Sequence, residues 1–212
     1  MQVAVVPYTF LQPLPDAAML PRLTPPRPWQ PLDDAELAVL VPFVARQGSG
    51  RPIFDIRARL DAILWAACHN GPWKDLPPEM GPADTASRQF RRWAHAGVWS
   101  RLLKAVAHPN APAPLRRLEH WICRAYRRAL RILKLAGIVL ARRLGLHSAL
   151  NAPASMLPDP DLSKMLMPLV RAKVVAMIGR CDNGMIPVLR LAMAVHKLVG
   201  GRSRIPRWLA PP

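Results

Sequence analysis

Acidic residues are scarce in this chain. Asp and Glu total 13 against 30 Lys and Arg, which gives a formal net charge of +17 and an isoelectric point near 11.5. Almost all of the positive excess follows residue 100, where the acids are Glu119, Asp159, Asp161 and Asp182. This balance indicates a polyanionic partner, either nucleic acid or an anionic membrane surface.

Cysteines and long apolar runs are also few. Cys68, Cys123 and Cys181 are isolated, with no metal-ligand spacing, so neither a zinc site, a disulfide framework nor a cofactor is predicted. No stretch offers the roughly 18 uninterrupted apolar residues of a membrane span. The N-terminus lacks the basic start and apolar core of a signal peptide. We therefore expect a cytoplasmic, nucleoid-associated protein.

Catalytic patterns are missing too. There is no Gly-rich phosphate loop and no nucleophile elbow, and the six histidines are scattered. Two-metal phosphoryl transfer needs several carboxylates around the ions, and no strand pattern would position the few acids after residue 100. Asp159 and Asp161 flank Pro160 and are better interpreted as a helix-start cap. We predict no enzyme activity, no metal and no small-molecule substrate.

Helix is the signal that is present, and the predicted fold class is all-α. A first helix is expected over residues 33–46, and a second begins at Asp55, its cap, and stops at Asn70. Asp84 or Thr85 is expected to cap a third helix, which Gly97 ends before a fourth over residues 98–107. Further helices are predicted over residues 115–146, 161–180 and 185–199.

Proline suggests how the chain is divided. Eight of its 25 prolines fall in residues 1–31, which we expect to form a disordered leader. A linker at Pro109, Pro112 and Pro114 then separates a helical domain, residues 32–108, from a basic helical region, residues 109–212. The last two helices carry a Met-rich apolar stripe, which indicates core or the face of a homo-oligomer.

The third helix has two chemically different sides. Ala86, Phe90 and Trp93 share one face, while Arg88, Arg91, Arg92 and His95 cluster on the other. That division suits a recognition helix, anchored by aromatics and directing cations at phosphates or guanine edges. A solvated basic face is the alternative. The tryptophans are expected to pack in the core rather than stack on bases: Trp65, Trp73, Trp93 and Trp99.

The long predicted helix over residues 115–146 carries the strongest amphipathic pattern. Leu118, Ile122 and Ala129 belong to its apolar face, and arginines dominate the opposite one. Like charges one turn apart destabilise a helix, so this face needs an anionic partner or is tolerated because the apolar face packs well. Nucleic-acid phosphate is the first expectation, an anionic bilayer the second and a solvated face the third.

Four short motifs occur in a fixed order between residues 50 and 103. They are Gly-Arg-Pro at 50–52, Gly-Pro-Trp-Lys-Asp-Leu-Pro at 71–77, Phe-Arg-Arg-Trp at 90–93 and Gly-Val-Trp at 97–99. This order resembles the N-terminal domain of bacterial insertion-sequence transposases. The resemblance, which spans residues 32–106, implies a helix-turn-helix-like module that binds double-stranded DNA. It also implies a transposase-related protein lacking the carboxylate-bearing ribonuclease-H-like catalytic domain.

The hypothesis is therefore a non-catalytic, transposase-related DNA-binding protein that contacts the terminal repeats of an element. Its predicted DNA-contacting residues are Arg51, Arg57, Arg88, Arg91, Arg92, His95, Arg116, Arg124, Arg127, Arg128 and Arg131. Two alternatives stay open. One is a peripheral membrane or scaffolding protein that uses the helix over residues 115–146, and the other is the product of a degraded element without a selected function.

Overall fold

The computed structural model describes residues 20–44, 55–177, 185–202 and 204–209. The structure is helical, and within those ranges the only extended pairing is an isolated bridge between Arg22 and Leu146. This confirms the all-α prediction. The helices are α1 Asp34–Val44, α2 Ile56–His69, α3 Ala83–His95, α4 Val98–Ala107, α5 Ala113–Arg117, α6 Glu119–Arg143, α7 Pro160–Met177 and α8 Met185–Gly200.

The starts and stops of α2 to α4 follow local chemistry. The Asp55 side chain accepts a hydrogen bond from the backbone N–H of Ala58 at 2.9 Å and caps α2, as predicted. Gly97, at φ 71°, separates α3 from α4 in the left-handed conformation that glycine adopts without strain. The predicted cap of α3 is wrong, because the helix begins at Ala83 after Pro82, which leaves Asp84 and Thr85 inside its first turn.

One hydrophobic core joins the first six helices. It contains residues from Leu32 to Leu157, and α6 packs across α2, α3 and α4. Its largest fully buried side chains include Trp99, Trp121 and Tyr126. The domain boundary predicted at residues 108/109 lies within this core. Trp93 and Trp99 are buried in it, and Trp65 and Trp73 pack against it half-buried, as expected for core tryptophans.

Residues 20–31 pack on the surface of this core. The backbone N–H of Thr24 donates to Ser148 Oγ at 2.8 Å, and Trp121 Nε1 donates to the carbonyl of Arg27 at 3.2 Å. The Arg27 guanidinium lies 4.0 Å from the centre of the Trp121 ring. This order differs from the disordered leader expected over residues 1–31, of which residues 1–19 lie outside the described part of the chain.

The helix predicted over residues 115–146 is divided. Its first turn belongs to α5, and α6 is kinked at Lys134, whose φ of 52° and ψ of −137° are not helical. The C-terminal pair, α7 and α8, agrees with the predicted pattern and packs as a hairpin. Its base is tied to the core region, because Arg143 pairs with Asp161 at 2.7 Å and the N–H of Arg202 donates to the carbonyl of Met156 at 2.7 Å.

Candidate nucleic-acid interface

Helix α3 is held in place by its aromatic side. Phe90 and Trp93 are buried, and the ring centres of Trp93 and Trp99 lie 6.1 Å apart in an edge-on arrangement. The Trp73 ring centre lies 5.5 Å from that of Phe90. Aromatic pairs at such distances and tilts are favourable beyond the area that they bury. The opposite side of α3 is therefore fixed in orientation relative to the core.

That opposite side is basic and exposed. Arg88, Arg91, Arg92 and His95 all lie on the surface, as the sequence pattern predicted. Arg88 has a weak pairing with Asp84, because their 3.5 Å contact joins two largely exposed side chains. Among the described residues, Arg91 and Arg92 have neither a hydrogen bond nor an ion pair. The basic side of α3 thus presents cations that the protein itself does not neutralise.

The connections around α3 differ from those of a helix-turn-helix. Residues 70–82 separate α2 from α3, whereas that motif has a turn of about three to four residues. The short turn, at Ala96 and Gly97, instead joins α3 to α4 and is closed by a 2.8 Å hydrogen bond from Arg101 Nη1 to the carbonyl of Ala96. Because seven of the ten residues of α4 are buried, α3 is the helix of this pair with the broader exposed face.

The predicted contacts before α3 lie apart from that face or outside the described residues. Arg57 donates to the carbonyl of Leu32 and pairs with Asp34, which ties the start of α2 to the start of α1. This guanidinium already has partners, although 40% of its side chain is exposed. Arg51 lies outside the described ranges.

Three of the arginines predicted on the long helix point into the protein. Arg124 Nη2 donates to the carbonyl of Cys68 at 3.0 Å. Arg128 Nη1 donates to the carbonyls of Ala66 and Gly71, each at 2.9 Å, and its guanidinium lies 4.3 Å from the centre of the Trp73 ring. These two side chains therefore bind the C-terminal end of α2.

Arg127 is more deeply placed. Only 8% of it is exposed, and its Nη2 donates to the carbonyl of Ser148 at 2.6 Å. Burial lowers the pKa of Arg127 to about 10, with the neighbouring Arg124 adding to the effect. Burial likewise lowers the pKa of Arg128, with Arg131 contributing. The basic face predicted for this helix is therefore interrupted at the surface, because Arg124, Arg127 and Arg128 have acceptors inside the protein.

The remaining predicted arginines of this region lie at the surface. Arg116 donates to the carbonyl of Pro109, close to its own helix. Arg131 is exposed, with neither a hydrogen bond nor an ion pair to the described residues. Arg116 and Arg131 are thus exposed, as a DNA contact requires. The other three predicted arginines have acceptors inside the protein, namely Arg124, Arg127 and Arg128.

The three acids that the structure describes after residue 100 are engaged in pairs. Glu119 accepts hydrogen bonds from Arg22 at 2.8 Å and from Thr24 at 2.7 Å. Asp159 pairs with Arg142 and accepts from the N–H of Leu162 at 3.1 Å, which confirms it as the cap of α7. Within the described ranges, no group of three His, Cys, Asp or Glu residues is placed to hold a metal ion.

The two described cysteines are inert by environment. Burial raises the pKa of both Cys68 and Cys123 to about 12, against smaller opposing effects of Arg124 on Cys68 and of a Thr24 hydrogen bond on Cys123. A thiol with such a pKa stays protonated at neutral pH and is a poor nucleophile. Cys181 lies outside the described ranges.

The resemblance seen in the motifs is supported by comparison with known proteins. Residues 32–103 match the family described as "Putative transposase of IS4/5 family". That range runs from two residues before α1 to within α4, and it includes the whole of α3. This part of the chain is similar to that transposase family.

Two curated proteins are also similar to part of the chain. Over 83 residues it is 32% identical to "Uncharacterized protein y4sN" of Sinorhizobium fredii, which covers 39% of this chain and 66% of the relative. Over 82 residues it is 38% identical to "Insertion element IS402 uncharacterized 16.2 kDa protein" of Burkholderia cepacia, which covers 34% of this chain and 56% of the relative. The chain spans less than two thirds of either relative. No solved structure matches it.

Proposed function

We propose that this protein binds double-stranded DNA through the exposed basic side of α3, without catalysing transposition. The observation that carries the proposal is the pair Arg91 and Arg92, which are exposed and unpaired among the described residues on a helix whose other side is locked by Phe90 and Trp93. Free cations on a rigid helix contact phosphates and guanine edges without first breaking an internal pair. A chain with this function belongs in the cytoplasm, on the nucleoid.

The dimensions of α3 suit a duplex groove. Its 13 residues correspond to a rod about 20 Å long, and the major groove of B-DNA, about 12 Å wide, admits one α-helix. Arg88 and His95 extend the basic side by about one turn in each direction from Arg91 and Arg92. Insertion-element relatives make duplex DNA the reasonable polyanion, since such elements are DNA segments.

The acids described after residue 100 favour a binding role over a catalytic one. Glu119, Asp159 and Asp161 each have basic partners in the structure. Two-metal phosphoryl transfer would need several carboxylates converging on one pair of ions.

The test compares two double variants that remove the same charge. R91A/R92A removes the proposed contacts, and R171A/R190A removes two exposed arginines of α7 and α8. Binding to a fluorescent duplex is measured by anisotropy over a salt series. If both α3 arginines contact phosphates, R91A/R92A lowers the magnitude of the negative slope of log K against log salt by about 1.8, because each lost contact contributes about 0.9.

The control decides between a site and a general attraction. We expect R171A/R190A to leave both the affinity and the salt slope close to those of the unaltered protein. Equal losses in the two double variants would mean that a protein of charge +17 merely adheres to a polyanion, and the α3 proposal would be abandoned.

A further inference from the structure

The α7–α8 hairpin exposes large apolar side chains along both of its helices. Met165 and Leu169, one turn apart on α7, are 64% and 62% exposed. Leu191 and Leu198, two turns apart on α8, are 61% and 51% exposed. Isolated exposed apolar residues are ordinary, but several on each of two packed helices indicate a binding surface. The exposed apolar side chains of α7 and α8 are together called the hairpin face.

Exposed cations accompany the hairpin face, and the one ion pair among them in the described residues is the 4.0 Å contact of Lys164 with Asp161. The described basic residues of the two helices are exposed, namely Lys164, Arg171, Lys173, Arg190 and Lys197. Asp161, at the start of α7, is held through both of its oxygens by Arg143 at 2.7 Å. The described part of the hairpin is therefore apolar and positively charged at once.

Three partners could cover such a surface, and their chemistry separates them. Duplex DNA would neutralise the cations but offers no extended apolar surface for Leu169 or Leu191. A second copy of this chain would cover the hairpin face but bring its own cations toward these. An anionic bilayer supplies acyl chains and negative headgroups together, and basic helices with an apolar side lie in that interface.

We propose that the α7–α8 hairpin lies flat on an anionic lipid bilayer, with the hairpin face in the acyl boundary and the cations at the headgroups. In the described part of the chain no helix is long and apolar enough to cross a membrane, so the contact is with one leaflet. Trp208, beyond the end of α8, is 81% exposed, and tryptophan favours the headgroup region.

The hairpin face is not the membrane-binding surface that the sequence suggested, which was the helix predicted over residues 115–146. The apolar side of the first half of α6 is buried in the core, where Ile122 and Ala129 are each at most 1% exposed. Most of the exposed large apolar residues in the described part of the chain lie on α7 and α8 instead. The lipid surface and the basic side of α3 are thus separate sites.

The experiment measures binding of the full chain to vesicles of phosphatidylcholine alone and of phosphatidylcholine with phosphatidylserine. We expect binding to the anionic vesicles only. L169D/L191D should lower the partition coefficient about tenfold or more, because it removes two large apolar side chains from the contact and adds two negative charges. L135D replaces a half-exposed leucine of α6 and so makes the same kind of change outside the hairpin. It should lower the partition coefficient little.

Each double variant is also tested for the other kind of binding. R91A/R92A should keep vesicle binding, and L169D/L191D should keep duplex binding, so failure of one proposal is distinguishable from failure of the other. Vesicle binding unchanged in L169D/L191D, or absent in the unaltered protein, overturns the lipid proposal. A concentration-dependent dimer in light scattering that L169D/L191D abolishes overturns it in favour of a second copy.

Discussion

Replacing Arg128 by alanine separates a structural role from a DNA contact. The sequence pattern predicted that Arg128 lies on a phosphate-binding face. In the structure its Nη1 donates to the carbonyls of Ala66 and Gly71. If Arg128 contacted phosphate, its loss would change the stability of the fold little. If it links α6 to the end of α2 through partly buried hydrogen bonds, its loss would lower the stability strongly. We expect the second result.

The size of the effect follows from the contacts that disappear. Hydrogen bonds from a charged donor contribute about 1.5 to 3 kcal/mol each, and a partly desolvated guanidinium on a tryptophan about 1 kcal/mol more. Water entering the site compensates part of this loss. We therefore expect R128A to lower the free energy of unfolding by about 3 kcal/mol, which for a chain of this size lowers Tm by roughly 6 to 12 °C.

The assay is urea unfolding followed by circular dichroism, together with the duplex-binding measurement. Arg131 provides the matched control, since it lies on α6 one turn away and is exposed; R131A should change the stability by less than about 0.5 kcal/mol. R128K should recover less than half of the loss, because an ammonium cannot reproduce the planar stack on Trp73. If R128A leaves stability unchanged while duplex affinity falls, the structural reasoning is refuted.

Two further predictions concern pH and the turn after α3. Burial, with Arg124 and Arg127 nearby, lowers the pKa of His120 to about 4. As the pH falls below about 6.5, this histidine is therefore protonated in the unfolded chain while it stays neutral in the folded one. Stability in urea should then fall by up to about 1.4 kcal/mol per pH unit until about pH 4, and H120Q should flatten this slope; a slope unchanged in H120Q would contradict the assignment. G97A should lower the free energy of unfolding by about 1 to 2 kcal/mol, because residue 97 has a φ of 71° that alanine adopts only with strain. The added Cβ would meet only Arg101 Nη1 at 3.6 Å, so the loss arises in the backbone. An unchanged thermal midpoint would contradict this prediction.

The sequence predicted those features that depend on neighbours along the chain. The cap at Asp55, the stop at Gly97 and the limits of α4 follow from a few adjacent residues, and all of them are confirmed. The two sides of α3 could be predicted for the same reason, because aromatic and basic positions repeat with the period of a helix. The α3 cap was missed because Pro82 starts the helix without a side-chain hydrogen bond.

Features that depend on distant residues could not be predicted in this way. Residues 20–31 are rich in proline and appeared disordered, yet Thr24 and Arg27 contact side chains or backbone about a hundred residues later. Nothing local indicates that Ser148 Oγ would accept from the Thr24 N–H. The hairpin face of α7 and α8 has the same origin, because a stripe of methionine and leucine fits a buried core as well as an open surface.

The arginines of α6 show how a correct physical premise led to an incomplete assignment. Like charges one turn apart were expected to need a negative partner, and the structure supplies one within the protein. The carbonyls of Ala66 and Cys68 belong to the last turn of α2, where helical carbonyls lack intrahelical donors and the helix dipole is negative. Arg128 and Arg124 donate to these two carbonyls, respectively. Because this acceptor lies in another helix, the pattern of α6 alone could not distinguish it from a phosphate. Among the described arginines that the sequence predicted to contact DNA, those without a partner inside the protein are Arg91, Arg92 and Arg131. This makes Arg91 and Arg92 the sharper test of DNA binding.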